Sequence, residues 1–223
     1  MEFEEIRDHI YLKDRVYQVI KLQIITGKLE PNTHLNEAEL SKMMKVSRAP
    51  IRESLNLLEK EGFVNIVPRR GAIVSLISKL EVENIWEIRS VLEPYAAENA
   101  ALNFQEKELQ EIENKIRKLL QEPYDLSDYL QADLNLHELL FKDLPNIMLK
   151  EIIVSVRQNS LRILNFAEGK HSLYKDVAPK DTQEHLEIIE ALKVRDPKRS
   201  ADAVFRHVMN SKQRIVQVIE KLS

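Results

Sequence analysis

The stretch from Asn36 to Gly71, NEAELSKMMKVSRAPIRESLNLLEKEGFVNIVPRRG, leaves few folds open. Asn36 followed by Glu39 is a capping-box signature: the amide oxygen accepts from an N–H of the first turn while the carboxylate three residues on reaches back. It predicts a short helix over roughly Glu37 to Met44. Ser47 is a second N-cap signal, with Arg48, Ala49 and Pro50 in the first turn, where a missing N–H costs little. That second helix runs to about Glu61 and stops at Gly62, the residue type that takes the left-handed conformation beyond a helix end. Only Lys45 and Val46 are left for the turn between the helices. After Gly62 the period changes. Phe63–Val67 and Ala72–Ile77 are short β-branched runs flanking Pro68-Arg69-Arg70-Gly71, which reads as a hairpin.

Two short helices joined so tightly, followed by a hairpin, make a winged helix-turn-helix. On the second helix Ile51, Leu55 and Leu58 recur at helical spacing and pack inward, whereas Ser47, Arg48, Arg52 and Asn56 fall elsewhere with their polar groups free. Polar and basic residues at the start of such a helix suit a major-groove reader, whose N-terminal end meets base edges and phosphates first. The residues expected on double-stranded DNA are Lys45, Ser47, Arg48, Ala49 and Arg52, with Arg69, Arg70 and Gly71 at the wing tip. Residues 40 to 75 hold seven basic against three acidic side chains, a local charge of +4 in a chain of net charge -3. The basicity is concentrated where the motif is.

VSRAPIRESLNLLEKEGFV followed by PRRGAIVS resembles the DNA-binding signature of the GntR family of bacterial transcription regulators. Ser47, Arg48, Pro50, Arg52, Glu53, Leu55, Leu58, Glu59, Gly62 and Gly71 each stand where that pattern has them. Ala49 stands where a hydroxylated residue is common, and Ala38 where some members place a basic residue on DNA. The resemblance implies a homodimer on a palindromic operator, released or retained by a small effector.

The chain has 223 residues, room for one large domain or two modest ones. Four glycines and eight prolines in that length predict long helices and short connections. Zero cysteines exclude a disulfide framework and any thiolate metal site. The acidic start MEFEEIRDHI lacks the apolar core of a signal peptide, and no apolar run reaches membrane-spanning length, so a cytoplasmic location away from membranes is expected. Residues Ile6 to Thr26 predict a first helix ending near Gly27. Ser78 with Glu81 caps the next, and from there every segment reads helical. The division expected is 1–77 for the winged helix-turn-helix and 78–223 for an all-α bundle. The helices expected in the second part are 79 to 102, interrupted by Pro94; 104 to 121; 126 to 142; 147 to 168; 182 to 194; and 197 to 221. A loop is expected over Gly169 to Asp181.

In the helical part, ionisable residues interrupt the apolar stripes. On the helix over 126 to 142, Leu130, Leu134, Leu140 and Phe141 are expected to line one side, with Asp133 and His137 among them at i, i+4 spacing. A carboxylate and an imidazole one turn apart can reach the same ion. His185 lies in line with Ile188, Ile189 and Leu192, and His207 with Ala203, Val204, Val208 and Ser211. A buried carboxylate needs a partner, and a divalent cation ringed by neutral imidazoles is one. Zinc, nickel, manganese or iron would suit such a set. A hydrogen-bonded polar core without an ion is the alternative.

This half resembles the FCD ligand-binding domain of the FadR-type subfamily. The resemblance implies that Asp133 and His137 in ADLNLHELLF, His185 in EHLEIIEAL and His207 in FRHVMNS are metal ligands beside a pocket for a small organic acid. Arg89 and Glu93, in IRSVLEPYAAENAA, match a further motif. The Arg89 guanidinium either binds the effector carboxylate bidentately or pairs with Glu93, four residues on. Three functions are consistent with the chain: a regulator, most simply a repressor, controlled by a small carboxylate; a regulator whose signal is the metal itself; and a metal-dependent hydrolase. A hydrolase needs a general acid or base beside the ion. Glu138, about 100° around the helix from His137, is poorly placed for that. The reading is therefore a regulator and not an enzyme.

Overall fold

Capping and burial together fix the first helices. In the computed structural model, which describes residues 9–120, 126–171 and 174–222, the chain divides into two units. One takes the chain up to Ile77 together with Leu161–Phe166; the other comprises Ser78–Ser160 and the residues from Ala167 onward. The first unit contains α1 (His9–Ile25), β1 (His34–Leu35), α2 (Glu37–Met44), α3 (Arg48–Lys60), β2 (Val64–Val67) and β3 (Gly71–Val74). Residues 6–8 of the helix expected from Ile6 lie outside the described residues.

Asn36 Oδ1 accepts from the N–H groups of Ala38 at 2.8 Å and Glu39 at 3.2 Å, which starts α2 where the sequence predicts. The turn is held by Lys45 in the left-handed region, φ 54°, and by Ser41 Oγ donating to the Val46 carbonyl at 2.6 Å. Ser47 occupies the N-cap of α3 by its backbone, but its hydroxyl makes no capping bond. Burial compensates for the missing cap. Ile51, Leu55 and Leu58 are fully buried against Val16, Ile20 and Ile24 of α1, at about 1.5–3 kcal/mol per side chain against about 1 kcal/mol for a cap. Lys21 and Tyr17 of α1 bond the two oxygens of Glu61 at 2.5 and 2.6 Å and tie the end of α3 to α1.

The hairpin forms, with two corrections. β3 ends at Val74, short of Ile77, and a strand the periodicity does not reveal, β1, pairs with its other edge. The sheet order is β1-β3-β2, all antiparallel, with Leu35 opposite Ala72 and Val67 opposite Gly71. Two residues are too few to show a period; β1 exists because β3 offers an unpaired edge.

The regular elements among the described residues of the second unit are all helices: α4 (Lys79–Asn103), α5 (Glu106–Leu119), α6 (Leu126–Phe141), α7 (Ile147–His171), α8 (Tyr174–Lys193) and α9 (Pro197–Leu222), part of α7 clustering with the first unit. Ser78 Oγ accepts from Glu81 N–H at 3.1 Å and caps α4. α4 packs most extensively on α9, where the fully buried Trp86 donates from its indole nitrogen to Ser211 Oγ at 3.2 Å. The architecture is mainly α, a winged helix-turn-helix plus a helical bundle, as expected.

Three expectations about these helices fail. Pro94 does not interrupt α4, which is continuous; one lost bond, about 3 kcal/mol, is outweighed by the buried face carrying Trp86, Arg89, Glu93, Ala96 and Ala97. The loop over 169–181 is helical at 169–171 and 174–181, with Ser172 and Leu173 outside the described residues. Leu134 is exposed and Leu130 half-buried. The phase of α6 is set instead by Ala132, Asp133, Leu136, His137 and Leu140, all buried. No described helix is long and apolar enough to cross a membrane.

Candidate nucleic-acid interface and metal centre

The start of α2, the outer face of α3 and the wing enclose a cleft of about 550 Å³. Arg48, Arg52 and Asn56 of α3 form one wall, Ile66 to Gly71 of the wing another, and Asn36, Glu37 and Ala38 the third. Four of the expected DNA contacts, Arg48, Arg52, Arg69 and Arg70, thus share one concave basic surface with Gly71. Lys45, Ser47 and Ala49 are exposed but do not line it. Two glycines shape the region. Gly62, φ +81°, ends α3 in open space, whereas a side chain on Gly71, φ +95°, would meet the Leu35 carbonyl oxygen at 2.2 Å. Arg52 is engaged within the chain. Its Nε lies 3.1 and 3.2 Å from the two Glu37 oxygens, and its Nη2 donates to Glu37 Oε2 at 2.8 Å. The pairing draws the Glu37 carboxyl below its ordinary pKa.

In the helical unit, the four residues with expected metal-ligand roles converge. Asp133 and His137 from α6, His185 from α8 and His207 from α9 are all buried, and one donor atom from each lies within 4.8 Å of the others. The three imidazole centroids stand 4.6 to 5.7 Å apart. A carboxylate stands beside each of two rings, hydrogen-bonded to His207 and in close contact with His137 without hydrogen-bond alignment. His137 Nδ1 lies 2.9 Å from Glu93 Oε2, and His207 Nδ1 lies 2.9 Å from Glu184 Oε2, which leaves Nε2 of each toward the cluster. The Nε2 atoms of His137 and His185 are buried without a hydrogen-bond partner among the described residues, although each stands 3.5 and 3.4 Å, respectively, from Asp133 Oδ1. Two orphaned imidazole nitrogens facing one carboxylate oxygen are a costly arrangement unless something accepts both lone pairs. The donor set fits a divalent ion.

Charge in the cluster favours the ligating forms. Burial pushes His137 down to about 3 and His207 down to about 4, so both rings are neutral near neutral pH. Burial works against the Asp133 and Glu93 carboxylates, but Arg157 and His137 around the first, and Arg89 and His137 around the second, hold both well below the usual range. Glu184 is opposed by burial and lowered to about 2 by His207 and Arg214.

Arg89 takes the intramolecular one of its two expected roles in this structure. Its Nε donates to Glu93 Oε1 at 2.6 Å and its Nη2 to Oε2 at 3.3 Å, with the guanidinium over the Trp86 ring. Further residues shape the site without a role read from the sequence. Arg157 donates from Nη2 to Asp133 Oδ2 at 2.9 Å, and its buried Nη1 has no partner among the described residues. Arg214 bridges Asp181 and Glu184, donating to the latter at 2.7 and 2.9 Å. Asp181, Glu184 and His185 share a face of α8 at i, i+3, i+4 spacing, the one periodic signal for Glu184. Nothing in the sequence points to Arg214. In a second group of possible ligands, Asp181, Glu184 and His207, the two carboxylates are bonded by that arginine, which supplies the cation an ion would bring. Because Glu184 fixes the His207 ring, Glu184→Gln is expected to weaken metal affinity about 10- to 100-fold without unfolding the unit, as read by competition with a chromophoric chelator.

Comparisons with known proteins accord with both halves. Residues 12–74 match "Bacterial regulatory proteins, gntR family", and residues 84–210 match "FCD domain". The chain is 29% identical over 214 residues to the uncharacterized HTH-type transcriptional regulator YdhC of Bacillus subtilis, covering 92% of this chain and 91% of that one. It is 26% identical over 216 residues to the HTH-type transcriptional repressor RspR of Escherichia coli, covering 95% and 92%. Among solved structures, a GntR regulator of Rhodococcus sp. RHA1 superposes with a TM-score of 0.74 at 17% identity, covering 92% of this chain and 97% of that one. McbR/YncC of E. coli gives 0.70 at 22%, with the same coverage. The chain belongs to the GntR family of DNA-binding transcription regulators, in the group whose helical half is an FCD domain.

Proposed function

We propose that this regulator is a homodimeric repressor whose affinity for operator DNA is set by a small organic acid bound at a metal-containing site in residues 78–223, with residues 1–77 as the DNA reader. The observation that carries the reading is the buried quartet Asp133, His137, His185 and His207, with the Nε2 atoms of His137 and His185 left without hydrogen-bond partners among the described residues. These four residues would hold a divalent ion, which would supply a positive centre for an anionic ligand. The surrounding charges favour the same class. Arg89, Arg157, Arg214 and a divalent ion, set against Asp133, Glu93, Glu184 and Asp181, leave one positive charge over. The buried Nη1 of Arg157 is a donor without an acceptor, and a carboxylate would satisfy it. Repression is supported by the name of RspR.

Two arguments support the homodimer. A single helix-turn-helix reads a half-site, so two must be held about one turn of DNA apart. α4 is also apolar on two faces: one is buried, and the other carries Ile88, Val91, Tyr95 and Leu102, 44–66% exposed, at spacings of three, four and seven. A long helix apolar on both faces buries both, here against the same helix of a second copy.

The test begins with a duplex selected from a random pool by the wild type. Arg48→Ala is expected to weaken binding to that duplex at least about 10-fold with helical content unchanged. Wild-type binding is expected to fall steeply with salt. Metal-loaded protein is then titrated with acetate, lactate and citrate in a gel-shift assay. Release of the duplex by at least one acid, dependent on the loaded ion, supports the reading. Release by adding or removing the ion alone would replace it with the metal itself as the signal, and an ion-independent response would remove the quartet from the mechanism.

A further inference from the structure

We propose that Glu37 is a specificity-determining residue of the DNA reader: its carboxylate holds the Arg52 guanidinium so that the outward pair of N–H groups meets a guanine edge rather than a phosphate. The inference rests on the DNA-binding reading and goes beyond it. Glu37 occupies Nε and one hydrogen of Nη2, the inner edge of the guanidinium. Nη1 and the second Nη2 hydrogen have no partner among the described residues. Those two N–H groups are parallel and coplanar, the fork that pairs with O6 and N7 of guanine in the major groove.

The setting explains why orientation matters more here than stability. Arg52 is 64% exposed at the side chain, and exposed ion pairs add little to folding. What the contact does supply is a fixed plane. A free arginine on α3 samples many rotamers and can reach backbone phosphates, which carry no sequence information. Held by two oxygens of an adjacent helix, it loses that freedom before DNA arrives. Glu37 is itself fixed, because Asn36 caps α2 immediately before it and the carboxylate is the lone acidic group lining the cleft. A negative charge beside Arg48 and Arg52 also disfavours a phosphate at that spot, so it works against every duplex that lacks the matching base.

The experiment selects bound duplexes from a random pool with wild type, Glu37→Gln, Glu37→Ala and Arg52→Ala, and sequences them. The wild-type motif is expected to hold a guanine in each half-site whose replacement by adenine weakens binding about 10- to 100-fold. In both Glu37 variants that preference is expected to drop below about 3-fold, while affinity for a scrambled duplex rises and its salt dependence steepens by about one ion per chain as Arg52 reaches a phosphate. Circular dichroism of the variants is expected to match wild type. Retention of the guanine preference in both Glu37 variants, or in Arg52→Ala, would overturn the assignment. A wild type that selects no motif would overturn the DNA reading and this inference with it.

Discussion

His137→Ala and His185→Ala are each expected to reduce bound divalent metal from about one ion per chain to none, as read by elemental analysis of tag-free protein. The size of the effect follows from the geometry. Each imidazole is buried and contributes one of four donors, so each substitution leaves only three. The wild type should also melt at higher temperature with the ion, since a ligand present at 100 times its dissociation constant adds about 2.7 kcal/mol to the folded state. The two variants should show no such rise. Metal content unchanged in both variants, or a wild type that takes up no zinc, nickel, manganese or iron, would make the quartet a polar core. The pH dependence has a definite sign. Without an ion, His137 at about 3 and His207 at about 4 lie below the 6.5 of an ordinary imidazole, so the unfolded chain binds more protons than the folded one. Their contribution to stability is complete above pH 6.5 and is lost as pH falls through 4 toward 3. Acid denaturation of ion-free protein should therefore begin below about pH 6.5 and be shallower in His207→Ala.

The second large effect is expected at the wing. Gly71→Ala puts a methyl group 2.2 Å from the Leu35 carbonyl oxygen, 3.2 Å from its carbon and 3.3 Å from Asn36 Cα, at a residue with φ +95°. All three contacts are backbone, so no side chain can swing aside. The backbone strain alone is about 1–3 kcal/mol, and relieving the overlap means parting β1 from β3, so about 3 kcal/mol or more is expected in total. Asn36 caps α2, so the displacement reaches the floor of the DNA cleft. The variant should lose binding to the selected duplex and unfold its winged domain at lower temperature, with metal content unchanged. Gly62→Ala is the control. It has the same sign of φ, +81°, but nothing within 4 Å, so only the left-handed cost of about 1–2 kcal/mol applies. Equal losses from the two substitutions, measured by denaturant titration, would refute the close-approach argument.

What the residues settle on their own is local. Asn36, Gly62 and Ser78 mark helix ends in the sequence because caps and left-handed glycines act over three or four residues, and the helices over 37–44, 48–60 and 79–103 begin or end where those signals fall. Spacing likewise places His185 and His207 on inward faces, since the period of 3.6 carries the phase of each apolar stripe. Leu134 departs from the expected inward face because its stripe has two possible phases, and only the neighbours of α6 choose between them. The two-residue β1 and the unbroken α4 through Pro94 depend on partners far along the chain: an open edge on β3 in one case, the face packed on α9 in the other. The same holds at the sites. That a carboxylate and three imidazoles converge within 4.8 Å, that Glu184 bonds the His207 ring while Glu93 stands 2.9 Å from His137, and that Arg52 is gripped by Glu37 are facts of tertiary structure. Sequence periodicity fixes which way a side chain faces on its own helix; which side chain it meets is decided by how separate helices pack.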